Sequence, residues 1–179
     1  MPESASVAPD QVIPDDDPAR ELVIANPDDP SLANIAIVGD VYTVLVSGAQ
    51  TNGRYCLIDM LVHDGGGPPP HRHDFEEMFT LLEGELEFMF RGKTQIIAAP
   101  CTVNIPSNAP HAFKNKSGKT VHMLCMCTPA GQDEFFHRVG VPVETRSSPP
   151  PKLSTEEQAE RAKLAGQLAP EYRTVFVKQ

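Results

Sequence analysis

Short apolar runs separated by turn-forming residues make up most of the chain. From Ile35 onward the runs IAIV, YTVLV and RYCLIDMLV are each bounded by Gly, Asn, Asp or Pro. Runs of this length, rich in β-branched residues, are typical of strands joined by tight turns. We therefore expect residues 35–130 to form a β domain.

Two later segments sharpen this prediction. In EMFTLLEGELEFMF, the pair Glu83-Gly84 separates two apolar runs. A glycine there supplies the positive φ that a two-residue hairpin requires, so we expect a hairpin at this point. Apolar residues then alternate with others from Leu86 to Phe90, the pattern of a strand with one buried face, before a turn at residues 91–93. Residues 121–127 are apolar on both faces, which predicts a central strand.

Helix signals are concentrated near the C-terminus. QDEFFHRVG predicts a short helix that ends at Gly140. Ser154 and Glu157 form a capping box at the start of a second helix, which should stop at Pro170. Strands followed by late helices indicate a closed barrel or sandwich, with residues 131–179 as a helical appendix.

Residues 1–34 are interpreted as an acidic, proline-rich N-terminal arm. The first 30 residues contain six prolines, and eight acidic residues against Arg20 alone. They therefore carry most of the formal net charge of -9, and the remaining body is nearly balanced. Without a basic stripe the body should not bind nucleic acid, and a polyanionic substrate is disfavoured.

The expected location is the cytoplasm, with no membrane association. The sequence has no run of 18 apolar residues, and its N-terminus lacks the basic and apolar blocks of a secretory signal. Its four cysteines are scattered, and Cys125 and Cys127 lie two apart in an apolar run, where their side chains share one face. We favour reduced core cysteines over a thiolate metal site, which usually shows paired loop spacings.

The segment GGGPPPHRHDFEEMF contains the strongest chemical signal. On a strand, His71, His73 and Glu77 have the same parity and point the same way, whereas Arg72 points to the other side. About forty residues later, prolines flank His111. Three imidazoles and one carboxylate suit a divalent Fe, Mn, Ni, Co or Zn ion, whereas calcium and magnesium prefer more oxygen ligands.

The spacing of these residues resembles the two motifs of the cupin superfamily. The first, G(X)5HXH(X)3-4E(X)6G, is matched at every position from Gly65 to Gly84. The second, G(X)5PXG(X)2H(X)3N, is matched at Pro106, His111 and Asn115, with Pro100 and Asn108 at its two glycine positions. Asparagine tolerates a left-handed turn better than other non-glycine residues.

The resemblance covers about residues 40–130 and implies a small jelly-roll barrel with a metal ion bound by His71, His73, Glu77 and His111. GGGPPPHRHDFEEMF and TPAGQDEFF are most similar to small quercetin dioxygenase-like cupins. In flavonol-cleaving relatives the equivalent of Glu77 is also the substrate base, so Glu77 is the candidate catalytic residue.

We therefore expect a metal-dependent oxygenase that acts on a small aromatic or hydrophobic substrate. The alternatives are a metal-dependent isomerase, epimerase or lyase, and a cupin that binds a small molecule without turnover. Met78 and Leu82 lie on the outer face of the ligand strand, and such an apolar face predicts a homodimer. The N-terminal arm could add an edge strand across that interface.

Overall fold

The computed structural model describes residues 13–177, which form two antiparallel β-sheets and two α-helices. The strands, in chain order, are β1 (Asn34–Ile37), β2 (Asp40–Val46), β3 (Cys56–Val62), β4 (His71–His73), β5 (Glu76–Glu83), β6 (Glu85–Phe90), β7 (Lys93–Ala98), β8 (Cys101–Ile105), β9 (His111–Lys114), β10 (Val121–Thr128), β11 (Val141–Val143) and β12 (Thr174–Phe176). The helices are α1 (Gln132–Val139) and α2 (Thr155–Leu168), with short 3₁₀ turns at Ala49–Thr51 and Ala169–Tyr172.

The two sheets enclose one hydrophobic core. The larger has the strand order β11-β1-β2-β3-β10-β5-β8, and the smaller has the order β12-β4-β9-β6-β7. Inward-facing side chains from both sheets fill the core, with Ile58, Leu81, Phe88 and Met123 among the most buried. The predicted all-β jelly-roll is confirmed, and β10 lies in the middle of the larger sheet as expected.

The C-terminal segment forms the two predicted helices and two further strands. Ser154 and Glu157 make the predicted capping box, and α2 ends just before Pro170. The extra strands join both sheets: β11 pairs with β1, and β12 pairs with β4. These strands are only three residues long, which is too short for a periodic pattern to reveal.

The hairpin expected at Gly84 is wrong, although the turn itself is present. Gly84 has φ +87°, as a tight turn requires. The flanking strands nevertheless do not pair, because β5 pairs with β8 and β10 whereas β6 pairs with β7 and β9. Gly84 therefore carries the chain from one sheet to the other. Local sequence can signal a turn, but distant strands decide which edges pair.

Residues 13–33 contain no helix or strand but contact the barrel at two points. The Arg20 guanidinium donates to the carbonyl of Gln50, and Arg146 pairs with Asp28. Residues 1–12 of the predicted arm lie outside the described residues. Within the part that is described, no helix is long and apolar enough to cross a membrane.

The glycine-rich loop before β4 is held by buried polar groups. Asp40, fully buried, accepts hydrogen bonds from the backbone N–H groups of His63 and Gly67, both at 3.0 Å. Burial outweighs these bonds and raises the pKa of Asp40 to about 7. On the other side of the loop, the backbones of Gly65 and Gly66 bond to that of Asn115. The loop therefore delivers the chain to β4 along a defined path.

Replacing Gly67 by alanine should destabilise the fold more than the same change at Gly65. Both glycines have positive φ, which strains any other residue by about 1 to 3 kcal/mol. A Cβ at Gly67 would also lie 2.1 Å from the carbonyl oxygen of Phe113, whereas a Cβ at Gly65 meets no atom within 4 Å. We expect Gly67→Ala to cost a further ~1 to 3 kcal/mol of unfolding free energy. Urea unfolding of the two variants measures the difference, and equal losses would contradict this account of the loop.

Candidate metal centre

Three strands from both sheets bring the predicted ligand residues together. The smaller sheet contributes His71 and His73 from β4 and His111 from β9, and His71 and His111 are directly paired. Glu77 comes from β5 of the larger sheet and faces them across the barrel interior. The parity argument treated residues 71–77 as one strand, but the chain crosses between sheets after His73. The convergence is as predicted, and the barrel produces it by placing the two strands opposite each other.

The four side chains form a compact, buried cluster. Glu77 Oε2 lies 3.1 Å from His73 Nε2 and 3.0 Å from His111 Nε2. The imidazole of His71 packs against that of His111, with 4.3 Å between ring centroids. One ligand atom from each of the four residues lies within 4.8 Å of the others. Only His71 has appreciable exposure, at 7%, so access from solvent is on its side.

Backbone carbonyls orient all three imidazoles in the same manner. Each Nδ1 lies 2.9 Å from a carbonyl oxygen and donates its proton there. The acceptors for His71, His73 and His111 are Pro69, Phe75 and Ala109, respectively. Because Nδ1 is occupied, Nε2 is the atom that remains to bind an ion. Each acceptor is two residues from its histidine, so local backbone geometry sets the ring orientation.

The charge state of the cluster is the one that metal binding requires. Burial opposes ionisation of Glu77, but hydrogen bonds from His111 and His73 outweigh it and hold the pKa of Glu77 well below its ordinary value. Burial, followed by the nearby His111, lowers the pKa of His71 to about 4. Glu77 is therefore anionic and His71 neutral at neutral pH. Burial lowers the pKa of His111, but pairing with Glu77 more than offsets this and raises it.

The spacing of the donor atoms fits one ion. Ligands at about 2.1 Å from a metal are separated by about 3.0 Å when they subtend a right angle, and by about 3.4 Å at a tetrahedral angle. The two distances from Glu77 Oε2, 3.0 and 3.1 Å, match the right angle. The cluster can thus hold a metal ion, with an arrangement closer to octahedral than to tetrahedral.

Aromatic side chains form the walls beside the cluster. The Phe75 ring stacks on His73 with a centroid distance of 3.8 Å and an interplanar angle of 2°. Phe79 and Phe113 meet edge to face at 5.4 Å. Both belong to the hydrophobic core, as does Phe88, in agreement with the sequence prediction.

The remaining polar candidates lie away from the four ligands. The His122 imidazole pairs with Asp59 at 2.6 Å, and His63 bonds to Asp40 through its backbone. Asn115 donates to the carbonyl of Val62 and joins neighbouring loops, which supports the structural role favoured from the sequence. Asn108 has φ +65°, so the predicted left-handed turn is present.

Two cysteines contact the cluster in a way that the sequence did not predict. Cys125 and Cys127 point inward from β10, which lies next to β5, and Cys127 is directly paired with Glu77. Their Sγ atoms lie 3.4 and 3.7 Å, respectively, from Glu77 Oε1. Although the contact with Cys127 lowers it, burial and the charge of Glu77 raise the pKa of Cys125 to about 12. Their shared face was visible in the sequence, but the pairing of β10 with β5 was not.

Comparisons with known proteins agree with this geometry. Residues 58–127 match the family model described as "Cupin domain". No curated protein matches the sequence significantly. An RmlC-like cupin from Shewanella frigidimarina has a similar structure, with a TM-score of 0.51 and 16% identity over 59% of this chain and 89% of that one.

A predicted oxalate decarboxylase from Thermotoga maritima is similar to the same extent, with a TM-score of 0.52 and 20% identity over 59% of this chain and 98% of that one. At this level of identity the likeness supports the fold alone. The family model, the two-sheet barrel and the buried His/Glu cluster thus lead to one conclusion: the chain belongs to the cupin superfamily.

Proposed function

We propose that this protein is a cytoplasmic, metal-dependent oxygenase of the dioxygenase type, acting on a small aromatic or hydrophobic substrate. The observation that carries the proposal is the set of near-right-angle donor distances around Glu77 Oε2. In this proposal His71, His73, Glu77 and His111 bind one divalent ion. An octahedral ion with four protein ligands keeps two positions for exogenous molecules. Fe, Mn, Ni and Co accept that geometry readily, and Zn completes the set of candidate ions.

The surroundings of the cluster favour an apolar reactant. When bound, an ion of this kind supplies Lewis acidity and, for a redox-active metal, electron transfer with dioxygen. The protein contributes three imidazoles fixed through Nδ1, aromatic walls, and burial that excludes bulk water. Because so little of the cluster is exposed, we expect the substrate to be small and to enter on the side of His71.

Glu77 has a second part in the proposal, as acceptor of a substrate proton. Its carboxylate is anionic and held by two imidazoles, so it is placed for proton transfer near the ion. The two roles conflict in part, because protonation weakens coordination. Ligation is therefore the primary role, and proton transfer is the one that the Glu77 variant described below tests.

An isomerase or epimerase is the second candidate, and the polar surroundings favour it less. Such enzymes need cationic groups near the metal to hold a phosphate or polyol. Among residues 13–177, no Lys or Arg side chain is hydrogen-bonded to the four-residue cluster. Arg72, which lies between the two β4 histidines, points outward, with Nη1 3.5 Å from Asn108 Oδ1. A lyase and a cupin that binds without turnover remain alternatives, which the activity experiment below distinguishes.

His73→Ala should abolish stoichiometric Mn(II) binding while the barrel stays folded. Loss of a direct ligand should lower affinity by more than the ~10 to 100-fold typical of outer-sphere changes. Equilibrium dialysis with elemental analysis gives the stoichiometry, and circular dichroism reports the fold. His137→Ala, which alters an exposed histidine on α1, is the matched control and should bind normally. Full Mn(II) occupancy in the His73 variant would remove that residue from the ligand set.

Glu77→Gln should lower turnover by ~10² to 10⁴-fold even when metal occupancy is complete, if Glu77 also accepts a proton. Oxygen uptake with a panel of phenolic substrates measures turnover. Glu76→Gln is the matched control, because Glu76 lies outside the barrel interior and bonds to Asn104 and Ser107. Restoration of full turnover by excess metal would restrict Glu77 to ligation. A zinc form as active as the iron, manganese or nickel form would overturn the oxygenase proposal and favour isomerase or lyase chemistry.

The homodimer expected from the sequence belongs to the same proposal, and the outer face of the larger sheet is its candidate interface. Leu82 is 43% exposed on β5, and Met78 is paired with Met126 of β10 on the same face. A stable dimer typically buries about 800 Å² on each partner. Met78→Lys should shift the protein to monomer in sedimentation velocity, whereas Thr94→Lys, on exposed β7 of the smaller sheet, should not. A wild-type monomer at micromolar concentration would contradict the idea.

A further inference from the structure

Glu77 has two oxygen atoms with different surroundings. Oε2 faces the imidazoles of His73 and His111, whereas Oε1 faces the thiols of Cys125 and Cys127. Within the described part of the chain, these thiols are the hydrogen-bond partners of Oε1. A thiol is a weak donor, so one oxygen of a buried carboxylate has only weak compensation for its lost hydration. The position favours a stronger positive partner at Oε1.

The three atoms around this position are spaced like ligands of one metal ion. Zinc binds thiolate sulfur at about 2.3 Å and carboxylate oxygen at about 2.1 Å. At tetrahedral angles, two sulfurs are then separated by about 3.8 Å and a sulfur and an oxygen by about 3.6 Å. The Cys125 and Cys127 Sγ atoms are 3.7 Å apart, and Glu77 Oε1 lies 3.4 and 3.7 Å from them. All three distances are therefore within about 0.2 Å of those of a tetrahedral site.

The strand register explains why these atoms meet. Cys125 and Cys127 are two apart on β10, so both point into the barrel. Cys127 lies opposite Glu77 on one side and opposite Cys56 on the other, and all three cysteines are fully buried. Cys56 thus places a third sulfur beside the site. Cys101, on β8, is outside this group.

We propose that Cys125, Cys127 and Glu77 Oε1 form a second metal position, selective for a thiophilic ion such as Zn(II), Cd(II) or Cu(I). Sulfur donors select soft ions, whereas the histidine site next to it suits Fe or Mn. Glu77 then bridges the two positions through its two oxygens, as carboxylates do in two-metal centres with ions about 3.5 to 4 Å apart. Binding replaces the two thiol protons, which are released to solvent, and involves no change of oxidation state. This position is additional to the histidine site and is tested independently of it.

The test is cadmium binding to metal-free, full-length protein under reducing, anaerobic conditions. We expect two Cd(II) ions per chain by elemental analysis after gel filtration, together with an ultraviolet thiolate-to-cadmium charge-transfer band. Cys125→Ser/Cys127→Ser should retain one ion and lose the band. Cys101→Ser is the matched control and should keep both ions and the full band.

Further variants separate this proposal from the proposed function. His73→Ala should keep the charge-transfer band while losing the other ion, so failure of the histidine site leaves the thiolate signal intact. Cys127→Ala, which keeps the packing apolar, should lose the band as well and replaces the double variant if serine disturbs the fold. A wild-type protein without the band, or a band that survives removal of Cys125 and Cys127, would overturn the proposal and leave these residues as packed core cysteines.

Discussion

A carboxylate buried inside a small apolar barrel is the constraint on which the rest of the site depends. Glu77 is only 3% exposed, and transfer of an anion from water to such a place is costly unless it is paired. Two imidazoles provide that pairing at Oε2. Removing one partner would leave an uncompensated buried charge, so the residues around Glu77 are mutually dependent. A metal ion at the imidazole nitrogens would satisfy the same requirement more strongly, which is why the arrangement suits ion binding.

The histidines can provide this pairing only because the backbone holds them rigidly. Each Nδ1 is bonded to a carbonyl two residues away, and β4 itself is held on both edges. One edge meets β9 at the pair His71 and His111, and the other is covered by β12, whose residues Thr174 and Phe176 lie opposite His73 and His71. The C-terminal segment thus stabilises the strand that carries two of the ligands. Without β12, the three residues of β4 would be an edge with unpaired backbone groups.

Much of this organisation could be predicted from the sequence, and the parts that could not depend on long-range pairing. His71, His73, Glu77 and His111 are recognisable from their spacing, and the central position of β10 follows from its two apolar faces. Gly84 signals a turn, but whether the turn joins paired strands or crosses between sheets is decided by β8, β9 and β10. The proximity of Cys125 to Glu77 likewise depends on the pairing of β10 with β5. Periodicity shows which residues share a face, and only the fold shows which faces meet.

The two environments of Glu77 also bear on its proposed chemistry. An oxygen that faces two imidazoles and an oxygen that faces two thiols cannot be equivalent in basicity, because their partners differ in donor strength. Charge that is strongly stabilised at Oε2 leaves Oε1 as the less compensated oxygen and hence the better acceptor for a proton or a cation. If a thiophilic ion occupies Oε1, that oxygen is no longer available to a substrate proton. Metal loading at the cysteines would then select between ligation alone and ligation with proton transfer, through one carboxylate shared by both positions.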